Sequence, residues 1–166
     1  PFNLAMGSRL FYPIHQNVLW TFLLGLWMIH RIEKAKDAPM WRQLLRAAGS
    51  VILGFLIGTL TMVDYLGAGV LMVLTFYFFR GRKWWHFAGQ LLCLWYINTE
   101  LIGGYGYEFL LFGQTHFITR QSFALLALVP IWLYKGKKGY HSKTMQYLNY
   151  AFYPAHLLIL GLLKML

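Results

Sequence analysis

Long apolar runs cut by short clusters of lysine and arginine recur along this chain, and they limit what it can fold into. About six come near the roughly 20 residues that a transmembrane helix needs. They cover about Asn17 to Arg31 ("NVLWTFLLGLWMIHR"), Leu44 to Val63, Tyr65 to Phe79, Trp84 to Ile102, Phe117 to Tyr134 and Met145 to Leu163. Only 12% of the 166 residues are charged and 58% are apolar. A soluble domain of this size needs about 25% charged residues to cover its surface, and a bilayer removes that need. The expected fold is therefore all-α: a polytopic integral membrane helix bundle, forming one transmembrane domain over residues 1–166. The stretch "GGYGYEFLLFGQTH" is too short to span and too rich in glycine for a regular helix, so a loop or a short re-entrant piece is expected there.

The formal charge of +10 does not point to nucleic acid, because the basic residues sit between apolar runs rather than over one face. Arg31, Lys34, Lys36, Arg42 and Arg46 follow the first run; Arg80, Arg82 and Lys83 follow the third; Lys135, Lys137, Lys138 and Lys143 follow the fifth. The other connections carry Asp64, Glu100 and Glu108, with Arg120 the exception. Loops rich in Lys and Arg stay cytoplasmic, so the start of the chain and its C-terminus are expected to face outward. Trp41, Trp84, Trp85, Trp132 and Tyr134 fall where interfacial aromatic belts belong. "PFNLAMGSRLFYP" lacks the basic and apolar regions of a signal peptide, and the chain is expected to be the C-terminal part of a longer protein.

Polar groups in a bilayer are costly, so each is a functional candidate. In "YAFYPAHLLIL", His156 lies about 15 Å into the sixth run at 1.5 Å per residue, beside Pro154, which should loosen the helix. His15, Gln16 and Asn17 fall at the outer end of the first run, Asp64 and Tyr65 at the corner "VDYLGAG", and Asn98 and Glu100 near the outer end of the fourth. A bonded core histidine and simply wet helix ends are the bland alternatives. The single cysteine, Cys93, reads as a packed small residue, and no metal site is expected. The "GFLIG" pair Gly54 and Gly58 reads as close helix packing. No dinucleotide, P-loop, HExxH or nucleophile-elbow motif is present.

"HQNVLWTFLLGLW", "DYLGAGVLMVLTFYFFRGRKWW", "QSFALLALVPIWLYKGKKGY" and "YAFYPAHLLIL" occur in one order, and together they resemble the TraX family. These are membrane proteins linked to conjugal transfer, whose name-giving member acetylates the N-terminus of pilin. The family is similar to the wider group of transmembrane acyltransferases that use acetyl-CoA. The resemblance implies a multi-pass protein of the bacterial inner (plasma) membrane. It would move an acetyl group from cytoplasmic acetyl-CoA to an amine or hydroxyl of an extracytoplasmic protein or glycan.

In that scheme Arg80, Arg82, Lys83, Lys135, Lys137 and Lys138 hold the phosphates of acetyl-CoA. His156 takes the acceptor's proton or carries the acetyl group, with His15 a further catalytic candidate. Asp64 orients an imidazole or an ammonium, while Gln16, Asn17, Tyr65 and Tyr153 line the acceptor site. In the related acyltransferases the histidine assigned to catalysis lies in an early helix, which would fall upstream of Pro1. Two other functions stay open: a small-molecule transporter, and an accessory subunit of a membrane complex.

Overall fold

The structure is a computed structural model, and it describes residues 16–111, 113–137, 139 and 142–163. Helix α1 spans Val18–Glu33, α2 Met40–Leu60 and α3 Leu66–Phe78. Helix α4, Trp84–Tyr96, runs on through a π-helical turn at Ile97–Ile102. Strands β1 (Gly106–Leu111) and β2 (Gln114–Thr119) follow, then a 3-10 helix at Arg120–Ala127, α5 at Leu128–Leu133 and α6 at Lys143–Leu163. The molecule is mostly helical, as its apolar runs predict.

The centre of the fold is a three-helix unit in which α1, α2 and α3 all pack on one another. Its core is Met28, Val70 and Leu74. Small or weakly polar residues mark the buried stripes: Thr21 and Gly25 on α1, and Ser50, Gly54 and Gly58 on α2. They recur every fourth position, one helical turn apart, and let the backbones approach. A Cβ on Gly58 would stand 3.0 Å from the Cα of Gly67. The "GFLIG" glycines are thus used up inside the unit.

The large apolar side chains point the other way. On α1, Leu19, Leu23 and Leu26 are more than half exposed, and on α2 so are Leu44, Leu45 and Ile52. Small residues inside and leucines outside invert the pattern of a water-soluble bundle.

One expectation is met in part and another needs correction. Among the described residues, one helix, Met40–Leu60, is both long and apolar enough to cross a membrane by length and composition. Leu66–Phe78 and Arg120–Leu133 are apolar but shorter. The run from Phe117 to Tyr134 does not form a single helix: its first residues pair with the glycine-rich stretch as an antiparallel hairpin, in register Gly106↔Thr119 to Leu111↔Gln114. The fold is therefore not all-α. Aromatic and β-branched residues such as Tyr107, Phe117, Ile118 and Thr119 favour a pleated surface. Gly113, at φ 78, supplies the left-handed turn residue. Arg120 clasps the base of the hairpin, donating from Nε and a terminal nitrogen to the Tyr107 hydroxyl at 3.2 and 3.1 Å.

Candidate functional site

The two ends of α1 are about 24 Å apart at 1.5 Å per residue, and each collects a different chemistry. At the basic end, the Tyr77 hydroxyl and an Arg80 terminal nitrogen donate to Glu33 Oε1 at 2.6 and 3.2 Å. Glu33 lies beyond the apolar run that ends at Arg31. The Tyr77 hydroxyl first, and then Arg80, hold its carboxyl below the usual carboxylate range. The Arg80 guanidinium also covers the Tyr77 ring, 4.5 Å from its centroid. Further along the same loop, an Arg82 terminal nitrogen donates to the Tyr134 carbonyl at 2.6 Å.

The Arg80 and Arg82 contacts join the last residue of α1, the loop after α3 and the residue after α5. The three basic segments expected on one side of the bundle are thus tied together. Arg80 is committed to Glu33, and Arg82 is anchored with part of its donor set still available. Lys83, Lys135 and Lys137 are exposed. Lys138 lies outside the described residues.

A buried relay supports this arrangement. Gln90 on α4 donates through Nε2 to the Phe79 carbonyl at 2.7 Å and accepts from Trp132 Nε1 at 2.7 Å. It therefore locks α5 against the loop that carries Arg80 and Arg82. Its position in an apolar run marks Gln90 as a polar residue that needs partners. Only the fold shows which two groups it joins.

At the opposite end, Gln16 donates its backbone N–H to the Met62 carbonyl at 3.0 Å. The Thr21 hydroxyl donates to the backbone oxygen of Asp64 at 3.0 Å. Asn17 caps α1, its Oδ1 accepting from the Leu19 N–H at 3.0 Å and from the Tyr153 hydroxyl at 3.1 Å. The corner beside them is strained: Met62, Tyr65 and Leu66 all have φ between 52 and 58°. Left-handed backbone at residues other than glycine clusters at functional sites.

Two clefts flank this corner. One, of about 540 Å³, is lined by Asp64, Tyr65 and residues of the π-helical turn. The other, of about 440 Å³, is lined by Asn17, Tyr153 and Pro154 among others. Asn17, Tyr153 and the Asp64–Tyr65 corner thus converge, with the Asp64 charge in electrostatic range of Tyr153. His15 lies outside the described residues.

His156 stands one helical turn beyond Tyr153. Its ring stacks on Phe152, with centroids 4.9 Å apart, and meets Tyr153 edge-on at 5.5 Å. Its Nδ1 lies 2.8 Å from the Phe152 carbonyl. A carbonyl only accepts, so Nδ1 carries the hydrogen in this contact and the neutral ring keeps its lone pair on Nε2. These contacts are all within α6. Tyr153 is the residue that links His156 to the Asn17 end of the bundle. Helix α6 runs unbroken through Pro154, so the expected local loosening takes no helix-breaking form.

A family model described as TraX protein matches residues 1–164. The chain belongs to the TraX family. The match covers all four blocks in which the resemblance was read, and both ends of the TraX-family bundle described above. No curated protein and no solved structure matches the chain significantly.

Proposed function

We propose that this TraX-family chain is a multi-pass membrane acetyltransferase, moving an acetyl group from acetyl-CoA at its basic end to an amine or hydroxyl at its Asn17 end. The observation that carries it is the separation of two chemistries along α1. Tethered cationic loops lie at one end, and a polar corner with two clefts and a nearby imidazole lies at the other. The inverted surface supports the membrane setting, since leucines face outward where lipid is the solvent. Loops bearing Lys and Arg on one side match the cytoplasmic face of a plasma membrane.

In this scheme Arg82, Lys83, Lys135 and Lys137 bind the donor's phosphates as charge-assisted contacts, with Lys138 on the same loop. Arg80 positions its loop through Glu33. An acceptor amine attacks the thioester carbon after giving its proton to His156 Nε2. A new C–N bond forms, the C–S bond breaks, and the departing thiolate is protonated to free CoA. A positioned base of this kind contributes typically 10²–10⁴-fold. The side-chain N–H groups of Asn17 or Gln16 donate to the oxygen that gains charge, the Tyr153 hydroxyl holds Asn17 in place, and Asp64 and Tyr65 line the acceptor cleft. A protein N-terminus of the pilin type fits the acceptor class, as does a glycan hydroxyl.

The test uses the chain in proteoliposomes, with radiolabelled acetyl-CoA supplied to the side of the basic loops. Label should reach an amine acceptor only on the opposite side, and His156→Ala should abolish transfer while the melting temperature holds. Absence of CoA binding by intact protein overturns the proposal.

One observation favours a second function, that of an accessory subunit. Among the described residues of α6, only Gly161 is buried, which leaves a long exposed helix for a partner. Tight co-purification with one membrane protein, without CoA binding, would establish it.

A further inference from the structure

Between the last turn of α1 and the first turns of α2 lies a pocket of about 500 Å³ that the acetyl-transfer scheme does not use. Arg31, Lys34, Arg42 and Arg46 line it, together with Trp41 and Leu45. Arg42 and Arg46 are one turn apart on α2, and Arg31 and Lys34 are spaced likewise on the α1 side, so each pair shares a face. Among the described residues, no carboxylate lies within ion-pairing distance of these four cations. Glu33 is turned away to Arg80 and Tyr77, and Asp37, on the segment joining α1 to α2, forms no ion pair with them.

Topology explains why basic residues occur here, but it does not explain two features. The Arg31 Nε is fully buried and lacks a hydrogen-bond partner among the described residues. A buried charged donor without an acceptor is costly, and that cost is relieved if an anion enters. The pocket also sits at the N-terminus of α2. That end has no side-chain cap and no acidic residue in its first turn, so the positive end of the helix dipole adds to the four charges. The Arg42 guanidinium lies over the Trp41 ring, 5.0 Å from its centroid, which holds a flat donor at the rim.

We infer that this pocket binds a phosphate group, with the Arg31 and Arg42 guanidinia as the principal donors. Two fixed planar forks suit tetrahedral oxyanions better than scattered lysines do. The phosphate belongs either to an acidic phospholipid headgroup or to a soluble nucleotide. The apolar Leu45 and Trp41 walls accommodate the remainder of either ligand. The inference is independent of acetyl transfer, and its failure would leave the donor loops untouched.

The test uses the intact chain in nanodiscs. In one arm, native mass spectrometry counts phosphatidylglycerol retained against phosphatidylcholine. In the other, adenosine 5′-monophosphate, which lacks the 3′-phosphate of the CoA donor, is titrated in phosphatidylcholine discs. The wild type should prefer one probe, and Arg31→Gln together with Arg42→Gln should weaken that probe by about tenfold or more. Arg31→Lys together with Arg42→Lys keeps the charges and should recover only part of the loss. Lys143→Gln, at the start of α6 and outside both phosphate sites, should leave binding unchanged. A double Gln variant that melts like the wild type and binds both probes equally well would overturn the inference, and so would a wild type that prefers neither.

Discussion

The Tyr153 hydroxyl donates to Asn17 Oδ1 at 3.1 Å across 136 positions of the chain, and it joins the middle of α6 to the first residue before α1. The same oxygen already caps α1 through the Leu19 N–H. Tyr153→Phe removes one neutral hydrogen bond and should cost about 0.5–1.5 kcal/mol. Asn17→Ala removes that bond and the helix cap together, so it should cost about 1 kcal/mol more. Thermal unfolding of the two variants in the same lipid discs measures the difference. Equal losses would mean that the cap contributes nothing.

Gln90 satisfies two groups that have no other partner within the relay. Gln90→Leu keeps the volume but leaves the Trp132 N–H and the Phe79 carbonyl unpaired, at about 1–3 kcal/mol for each buried group. Gln90→Glu retains an acceptor for Trp132 and loses the donor to Phe79, so it should be destabilising as well. In Gln90→Leu the Arg82–Tyr134 contact should loosen. A spin-label pair at Lys83 and Lys135 would read this as a broadened distance distribution.

The glycines make opposite predictions according to what surrounds them. A Cβ at Gly67 would collide with the Phe55 carbonyl oxygen, a backbone atom that cannot move aside, so Gly67→Ala should cost roughly 1–3 kcal/mol. Gly49 has open space around its missing Cβ and lies inside α2, where alanine is favoured over glycine by about 0.5–1 kcal/mol. Gly49→Ala should therefore raise the melting temperature. A destabilised Gly49→Ala variant would contradict this placement of α2.

Glu33 makes the basic end sensitive to acid. Its carboxyl is held below the usual range by the Tyr77 hydroxyl and Arg80. The stabilisation is therefore complete above the unfolded-state value of about 4.3 and is lost as pH falls through the lower folded value. Glu33→Gln should reproduce at neutral pH the loosening that acid produces in the wild type. Hydrogen exchange in residues 79–83 reports both. A protection factor, corrected for intrinsic exchange, that still changes with pH in the variant over the acid range would assign the effect to another group.

Much of the helical layout is legible in the sequence. The run from Trp84 to Ile102 coincides with α4 and its π-helical turn, and the run ending at Leu163 coincides with α6. Apolar length and flanking charge carry that information locally. The fifth run misleads because hydropathy alone does not separate a short apolar helix from a strand beside a glycine turn. Its β-branched and aromatic residues held the missing signal. The candidate site divides in the same way. Gln16, Asn17, Tyr65 and Asp64 stand out as polar residues at the ends of apolar runs, whereas nothing in the sequence indicates that Tyr153 closes on Asn17.

The sequence by itself determined where most of the helices run, which segments are basic and that leucines outnumber charged residues, because each follows from the hydropathy and charge of neighbouring residues. The tertiary structure alone decided that Glu33 takes Arg80, that Arg82 reaches Tyr134 and that the Arg31 Nε is buried without an acceptor. The first depends on how close the small-residue stripes let α1, α2 and α3 approach and the second on how Gln90 seats α5, distances that no local pattern encodes.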